Sequence, residues 1–162
     1  MFDLSEVEKA YIAGLFDGEG SVCIIRVKPS KNNGEVNPRY FLAIDIANTN
    51  LEILQWLKNI FGGNIRHKST INKPCYAWYS SKLRANEFLR SIFPYIKIKN
   101  KQIKLVFDYM EWANTLTNKL RGSKPWSLEI MQKKEDFKSQ LHLLNVGEEA
   151  NKKNPFIYHY KH

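Results

Sequence analysis

The run from Tyr11 to Gly20 constrains the fold more than any other stretch of this sequence. It reads Tyr-Ile-Ala-Gly-Leu-Phe-Asp-Gly-Glu-Gly, an apolar helix-like run that ends in two acids separated by one glycine. Ser5 and Glu8 have the spacing of a capping box, which predicts that a helix begins there. Gly18 and Gly20 predict its end, because glycine accepts the left-handed backbone that often follows a helix. Apolar residues surround most of this helix, so we expect it to be buried on nearly all sides.

Two features of this helix go beyond an ordinary turn. Gly14 and Gly18 are four residues apart, a spacing that lets another backbone approach closely. The two acids lie at the carboxyl end of the helix, where the helix dipole disfavours negative charge. We therefore expect a compensating cation nearby. The competing interpretation is that Asp17-Gly18 is a plain turn pair.

The rest of the chain predicts a helix, two strands, a helix, two strands and a helix, followed by further helices. Runs rich in β-branched residues predict strands, and Thr49 with Glu52 predicts a second capping box. Two antiparallel hairpins, with no parallel crossover, indicate the α+β class. We predict a single domain over residues 1–146 and a carboxyl-terminal tail over 147–162. The predicted strands are 21–28, 39–46, 64–68 and 75–79, and the later helices are about 50–61, 82–93, 103–120 and one that begins after Ser127.

Alternation along the strands divides their side chains between two faces. In the second strand, Tyr40, Leu42, Ile44 and Ile46 form the predicted core face, opposite Arg39, Phe41, Ala43 and Asp45. In the first strand, Ile24, Arg26 and Lys28 are predicted to share one face. Val22, Ile25 and Val27 are predicted to lie nearer the other face, with a slip in the alternation.

Charge favours a polyanionic partner. The 162 residues carry 25 Lys and Arg against 16 Asp and Glu, a net charge of +9. Nucleic acid is the first candidate and an anionic membrane surface the second. No apolar run approaches the length of a membrane span, and we expect no signal peptide and no membrane partner. Cys23 and Cys75 have no metal-binding spacing and no reason to pair in a reducing compartment.

The run from Tyr11 to Gly20 resembles the signature of the LAGLIDADG homing endonucleases. Ile12 stands where that signature has leucine, Phe16 where it has isoleucine, and Glu19 where it has its second aspartate. Gly18 replaces an alanine. The residues identical to the signature are Ala13, Gly14, Leu15, Asp17 and Gly20. The resemblance implies the αββαββα fold of this family, with helices added at the carboxyl end and the antiparallel sheet forming a saddle on DNA.

The resemblance also implies roles for particular residues. Glu19 would bind a divalent metal at the scissile phosphates, with the backbone carbonyl of Gly18 as a further ligand. Asp17 would support this site from the end of the helix. Asn48, at the end of the second strand, matches a position where the family keeps a polar residue near the attacking water. The competing interpretation is that Asn48 is an ordinary residue at the start of a helix.

A lysine is expected from a segment further along the chain. Residues 94–102 are similar to the segment that carries the active-site lysine in the single-motif branch, which assigns that role to Lys99. The competing interpretation is a solvated lysine in a basic linker. The sequence departs from the family pattern at Glu52, where related enzymes have an arginine.

The chain carries one signature, and residues 100–162 hold no second copy. Cutting both strands of a duplex therefore implies two chains related by a two-fold axis, as in the single-motif homodimeric branch. We expect Ile12, Ala13, Gly14 and Phe16 to form the contact between the two signature helices. Mg²⁺ is the expected cofactor, with Mn²⁺ as a substitute.

DNA recognition is expected on the strands, because a two-stranded ribbon fits the major groove and arginine commonly contacts guanine. Each charged member of the set also has the plain interpretation of a solvated surface residue. The predicted DNA-contacting residues are Ile24, Arg26, Lys28, Lys31, Arg39, Phe41, Asp45, Arg66, Lys68, Cys75 and Tyr79.

The resulting prediction is a site-specific homing endonuclease, intron-encoded, that cuts a long pseudo-palindromic site in double-stranded DNA. The alternatives are an intron RNA maturase, with its host intron RNA as partner, and a DNA-binding regulator that keeps the fold without cleavage. The expected location is intracellular, in a chloroplast, a mitochondrion or a prokaryotic cytoplasm.

Overall fold

A computed structural model of the chain describes residues 4–30, 32, 34–68, 74–117 and 125–147. Its helices and strands follow the predicted order, with helices added at the carboxyl end. Of the predicted tail, residues 148–162 lie outside the described part. The elements are α1 Glu6–Glu19, β1 Gly20–Val27, β2 Arg39–Asn48, α2 Leu51–Phe61, β3 Asn64–Lys68, β4 Cys75–Ser81, α3 Lys82–Ile92, a 3₁₀ turn Phe93–Tyr95, α4 Asn100–Thr117 and α5 Leu128–Val146.

The four strands form one antiparallel sheet in the order β1-β2-β4-β3. The β1–β2 hairpin runs from the pair Gly20–Ile46 at one end to the pair Val27–Arg39 at the other. Pairing between β2 and β4 joins the two hairpins into this single sheet. The α1 helix therefore delivers the chain into the sheet at the Gly20–Ile46 end. No helix in the described part of the chain combines the length and apolar character needed to cross a lipid bilayer.

The helices cover one face of the sheet. The buried residues that this face contributes to the core are Val22, Ile24, Leu42, Ile44, Ile46 and Trp78. From the helices, Ile12 and Phe16 of α1 pack into the same cluster as Phe88 of α3. The predicted core face of β2 is thus confirmed. The predicted slip in β1 is wrong, because Val22 and Ile24 lie together on the core face.

The ends of α1 and α2 differ in part from prediction. The Ser5–Glu8 capping box is present. Gly20, however, has an extended backbone with φ of −83°, so the left-handed ending predicted there is wrong. A Cβ atom at Gly20 would overlap a ring carbon of Phe16, and this steric limit explains the glycine. The α2 helix is capped by Asn50, whose Oδ1 accepts the N–H groups of Glu52 and Ile53, so the predicted Thr49 cap is wrong.

Candidate active site and nucleic-acid interface

Glu19 is the last residue of α1, and its side chain is exposed. No hydrogen bond or ion pair to Glu19 occurs among the described residues. Gly18 beside it is also exposed, and a Cβ built there would meet no atom within 4 Å. A carboxylate and a backbone carbonyl are oxygen donors of the kind that Mg²⁺ prefers. The described residues contain no cluster of three acidic, histidine or cysteine side chains.

Asp17 is buried in the protein, with only 6% of its surface exposed. Its Oδ2 accepts the backbone N–H groups of Lys97 at 2.7 Å and Ile98 at 3.1 Å. Its Oδ1 accepts the backbone N–H group of Lys99 at 2.9 Å. One carboxylate therefore joins the end of α1 to the segment that leads into α4. We call this set of three hydrogen bonds the Asp17 clamp.

Charges and hydrogen bonds around Asp17 keep it ionised. Burial is the largest single influence and raises the pKa of its carboxyl group. The three backbone N–H groups and the Lys99 ammonium act in the opposite direction and together hold this pKa below its ordinary value of 3.8. The compensation expected at the end of α1 is thus supplied mainly by amides and only in part by a cation.

Lys99 is half-buried beside α1. Its Nζ donates a hydrogen bond to the backbone carbonyl of Asp17, two residues before Glu19. Its backbone carbonyl accepts the N–H group of Ile103 in the first turn of α4. The lysine is therefore held at both its backbone and its side chain, in contrast to a solvated lysine in a linker. The fold brings Lys99 close to the acidic end of the signature helix across 82 residues of sequence separation.

Asn48 ends β2, two residues after Ile46, which pairs with Gly20. It therefore lies at the same end of the sheet as Glu19. Its side-chain Oδ1 accepts the backbone N–H group of Asn50 at 2.8 Å, where Asn50 caps α2. The geometry thus gives Asn48 a structural contact at the start of the helix, and its proposed role near the attacking water remains a prediction.

The residues predicted to join two chains are mostly inaccessible. Ile12, Ala13 and Phe16 have no exposed surface, because they pack into the core of their own chain. Their assignment to a contact between chains is therefore wrong. Within a single chain, α1 is buried on this side only, so its burial on nearly all sides remains a prediction that depends on a second copy. Gly14 is exposed, and a Cβ built on it would meet nothing within 4 Å.

An exposed apolar surface runs along the opposite side of α1. Val7 is 79% exposed and Tyr11 is 56% exposed. Gly14 and Gly18 continue the same side of the helix at intervals of three and four residues. These four residues are called the α1 stripe below. Nothing within the described part of the chain explains why Gly14 and Gly18 lack side chains.

The strand register places seven predicted DNA-contacting residues on the sheet face opposite the core. Directly paired residues of antiparallel strands share a face, as do alternate residues along each strand. Asp45 pairs with Tyr79, and Lys68 pairs with Cys75. The three cationic side chains are between 41% and 59% exposed. The residues of this open sheet face are Arg39, Phe41, Asp45, Arg66, Lys68, Cys75 and Tyr79.

Three predicted DNA contacts do not lie on the open sheet face. Ile24 is 4% exposed and belongs to the core. Arg26 alternates with it on the helix-covered side, where its Nε lies 3.1 Å from the Glu135 carboxylate of α5. Lys28 lies past the end of β1, beside the same surface of α5. The assignment of Ile24 and Arg26 to the DNA-contacting face is therefore wrong, Lys28 is not placed on that face, and Lys31 lies outside the described residues.

Asp45 organises the centre of the open sheet face. Its Oδ2 lies 3.1 Å from Lys68 Nζ and 3.5 Å from an Arg66 nitrogen. Its Oδ1 accepts a hydrogen bond from the Ser21 hydroxyl on the neighbouring strand. The Arg66 guanidinium also lies 5.5 Å from the centre of the Tyr79 ring. Asp45, itself a predicted DNA contact, therefore pairs with both cations at the centre of this face.

One cation near this face was missed from the sequence. The Nζ of Lys82 lies 5.7 Å from the centre of the Phe41 ring. Lys82 has φ of 58°, the one positive value for a residue other than glycine in the described part of the chain. Such backbone strain is concentrated at functional sites. The sequence does not reveal this conformation of Lys82, because it depends on how β4 and α3 meet and not on the residue type.

Comparison with known proteins identifies the family. The sequence model of the LAGLIDADG endonucleases matches residues 12–115, more than half of the chain. This protein therefore belongs to the LAGLIDADG endonuclease family, as its signature predicted. Membership supports assignment as a DNA-binding endonuclease. No curated protein matches the chain.

Solved structures confirm the predicted fold class. The homing endonuclease I-CvuI, crystallised with a DNA target and Mg, is 18% identical with a TM-score of 0.66 over 91% of this chain and 94% of that one. The homing endonuclease I-TnaI is 18% identical with a TM-score of 0.55, over 91% of this chain and 99% of that one. I-GzeII, in complex with its DNA target, is 17% identical with a TM-score of 0.53. That match covers 92% of this chain and 49% of the other.

Proposed function

We propose that this protein is a site-specific, intron-encoded endonuclease that cuts both strands of duplex DNA as a homodimer, by metal-dependent phosphodiester hydrolysis. The contrast between the two acids of the signature carries the proposal. Asp17 is buried with both carboxylate oxygens occupied, whereas Glu19 is exposed and has no partner among the described residues. An exposed carboxylate fixed on a rigid helix is available for a ligand. It stands at the end of a sheet whose open face carries cations.

The catalytic roles follow from position. A bound Mg²⁺, or Mn²⁺ in its place, would stabilise charge on the phosphate and activate water. The Glu19 carboxylate and the Gly18 carbonyl would hold this ion, together with waters and phosphate oxygens. Lys99 would stabilise negative charge that develops on the phosphate. Asn48 would orient the water, through the part of its amide that Asn50 does not occupy.

The DNA would lie along the open sheet face. A ribbon of eight residues, as in β1, spans roughly 26 Å at about 3.3 Å a residue. This length covers on the order of eight base pairs. The I-CvuI and I-GzeII complexes with DNA targets support a duplex as the substrate of this fold. Two copies of the chain would then read a long pseudo-palindromic site.

Assembly of two copies would use the α1 stripe. Each chain has one Glu19, and two strands must be cut, so a two-fold dimer gives the required pair of acids. This chain matches about half of the longer I-GzeII chain, which supports the idea that two copies of this chain act together. Absent side chains at Gly14 and Gly18 would let the two α1 backbones approach closely.

The dimer is tested by Gly14→Leu, with Ser139→Leu on the exposed side of α5 as the matched control. We expect sedimentation at micromolar concentration to show a dimer for the wild type and the control, and a monomer for Gly14→Leu. A wild-type protein that is monomeric and still cuts both strands would contradict the proposed assembly.

Cleavage is tested by incubating the protein with randomised duplex DNA and Mg²⁺ and sequencing the cut ends. Wild-type protein should yield one long recurring site. Glu19→Gln should abolish cutting and leave duplex binding nearly unchanged, because one ligand oxygen is lost with little change in volume. Glu111→Gln, an exposed acid on α4, is the control and should cut normally.

This selection, a DNA-binding measurement and a splicing assay with the host intron RNA separate the alternatives. Strong nicking by purified Glu19→Gln would remove Glu19 from the reaction. Sequence-specific binding without cutting by the wild type would favour a regulator on the same fold. Splicing of a host intron RNA without DNA cutting would favour a maturase.

A further inference from the structure

Lys134 of α5 is a buried lysine that the proposed cleavage reaction does not use. Only 7% of its surface is exposed. Four aromatic rings surround its ammonium group, with ring centres between 4.8 and 5.6 Å from Nζ. These rings belong to Tyr40, Tyr109, Trp112 and Trp126. They come from β2, α4 and the segment before α5, so the lysine lies where three parts of the fold meet.

The ammonium group of Lys134 lies among aromatic rings, in a place where a charge usually needs a partner. Among the described residues it makes no hydrogen bond and no ion pair. Buried charges are normally paired, because leaving water is costly for an ion. Desolvation accordingly lowers the pKa of Lys134. Contacts with the aromatic rings offset part of this cost, but an aromatic face is a weaker partner for an ammonium group than a carboxylate or phosphate oxygen.

Lys134 lines a cavity of about 760 Å³. Its described wall residues include the cations Arg39, Lys82 and Lys134, and one acid, Glu35, which is paired with Arg39. Tyr40, Tyr109 and Trp126 supply aromatic wall surface. The volume is within the range of small-molecule and cofactor sites. A positive, partly aromatic cavity, whose buried cation has no ion pair within the described part of the chain, fits an anion attached to a planar organic group.

The cavity is separate from the proposed cleavage centre. Arg39 pairs with Val27, at the opposite end of the β1–β2 hairpin from Gly20 and Ile46. Arg39 and Phe41 belong both to the cavity wall and to the open sheet face. A nucleic-acid strand that ran along the open sheet face from the cleavage centre would therefore reach this cavity at the far end of the β1–β2 hairpin.

We propose that this cavity is a binding site for a phosphate group of a nucleotide, with Lys134 as the buried cation that receives it. The phosphate belongs either to the DNA backbone at the outer end of the half-site or to a free nucleotide. Only the first source rests on the proposed function. Arg39 and Lys82 guide the anion at the rim, and the aromatic walls contact the attached sugar and base.

Binding is tested without metal and without cleavage, so its outcome is independent of whether the protein cuts DNA. Protein labelled with ¹⁵N is titrated with sodium phosphate, and with sodium chloride at equal ionic strength. The indole N–H signals of Trp126 and Trp112 report on the cavity and the ring cluster. We expect phosphate, but not chloride, to shift the Trp126 signal in a saturable way.

Lys134→Met and Lys133→Met form a matched pair on the same helix. Lys133 is exposed and also contacts Trp112, at 4.9 Å, but it does not line the cavity. We expect Lys134→Met to weaken phosphate binding about tenfold, as for loss of a charged hydrogen bond, and Lys133→Met to leave it unchanged. Thermal melts of both variants establish that each is folded, and Lys82→Met provides a rim variant that does not disturb the buried cluster.

Two further titrations identify the source of the phosphate. Tighter binding of thymidine monophosphate than of inorganic phosphate, lost in Lys134→Met, supports a free-nucleotide site. If Lys134→Met binds a duplex more weakly, and the slope of log affinity against log salt concentration falls by about one, the phosphate belongs to the DNA backbone. Absence of any phosphate-specific shift in the wild type, or equal binding by folded wild type and folded Lys134→Met, would overturn the proposal.

Discussion

Replacing Asp17 by asparagine should separate the structural acid of the signature from the functional one. An asparagine keeps one carbonyl oxygen, which can retain the N–H groups of Lys97 and Ile98. Its amide nitrogen would then face the N–H group of Lys99, donor against donor. That N–H group would lose its acceptor, and the two remaining hydrogen bonds would lose their charge.

The magnitude follows from these losses. An unsatisfied buried donor costs about 1–3 kcal/mol, and hydrogen bonds to charged groups are worth roughly twice neutral ones. We therefore expect Asp17→Asn to lower the free energy of unfolding by about 2–4 kcal/mol. Glu19→Gln is the matched control, because its carboxylate is exposed and has no partner among the described residues. Its effect should stay below about 0.5 kcal/mol.

The assay is equilibrium urea unfolding of the three proteins, followed by circular dichroism and tryptophan fluorescence. Cleavage rates measured on folded protein complete the comparison. Asp17→Asn should also slow cutting, because the clamp fixes the backbone of Lys99. Equal stability of Asp17→Asn and Glu19→Gln would refute the clamp as a source of stability, and a lower stability for Glu19→Gln would show that the two acids are assigned in reverse.

Three further outcomes are expected. Gly20→Ala should destabilise the protein by about 1–3 kcal/mol in urea unfolding, since the added methyl group would overlap the Phe16 ring; unchanged stability would contradict that contact. Lys99→Met should lower the cleavage rate more than DNA affinity in single-turnover kinetics, as for an interaction made mainly in the transition state. Arg66→Ala should weaken target binding by about 1–3 kcal/mol and relax preference at one base position per half-site; equal weakening on every sequence would make Arg66 a phosphate contact.

The sequence predicted those parts of the fold that depend on local pattern. Strict alternation in β2 assigned Leu42 and Ile44 to the core and Arg39 to the other face, as found. In β1 the apolar residues run consecutively from Val22 to Ile25, so alternation carries no information there. Only pairing with β2 decides which of them face the helices.

The candidate site was harder to predict, because its contacts connect distant parts of the chain. The α1 helix is apolar around most of its circumference, and no pattern within it shows which side meets its own core. The sequence therefore does not reveal that Ile12 and Phe16 face the core of their own chain. The Asp17 clamp joins residues 80 to 82 positions apart, and its donors are backbone amides that any residue types could supply.

The ion pairs of Asp45 bear on how a protein of this kind would search long DNA. In the free chain, Arg66 and Lys68 already have an anion beside them. When a random stretch of duplex binds Arg66 and Lys68, its phosphates must displace the Asp45 carboxylate. Binding therefore releases less free energy than it would if the two cations were unpaired. Dwell times on wrong sequences would be short, and the chain would move on quickly. Only a stretch that offers base edges as well as phosphates would hold it long enough for a slow chemical step.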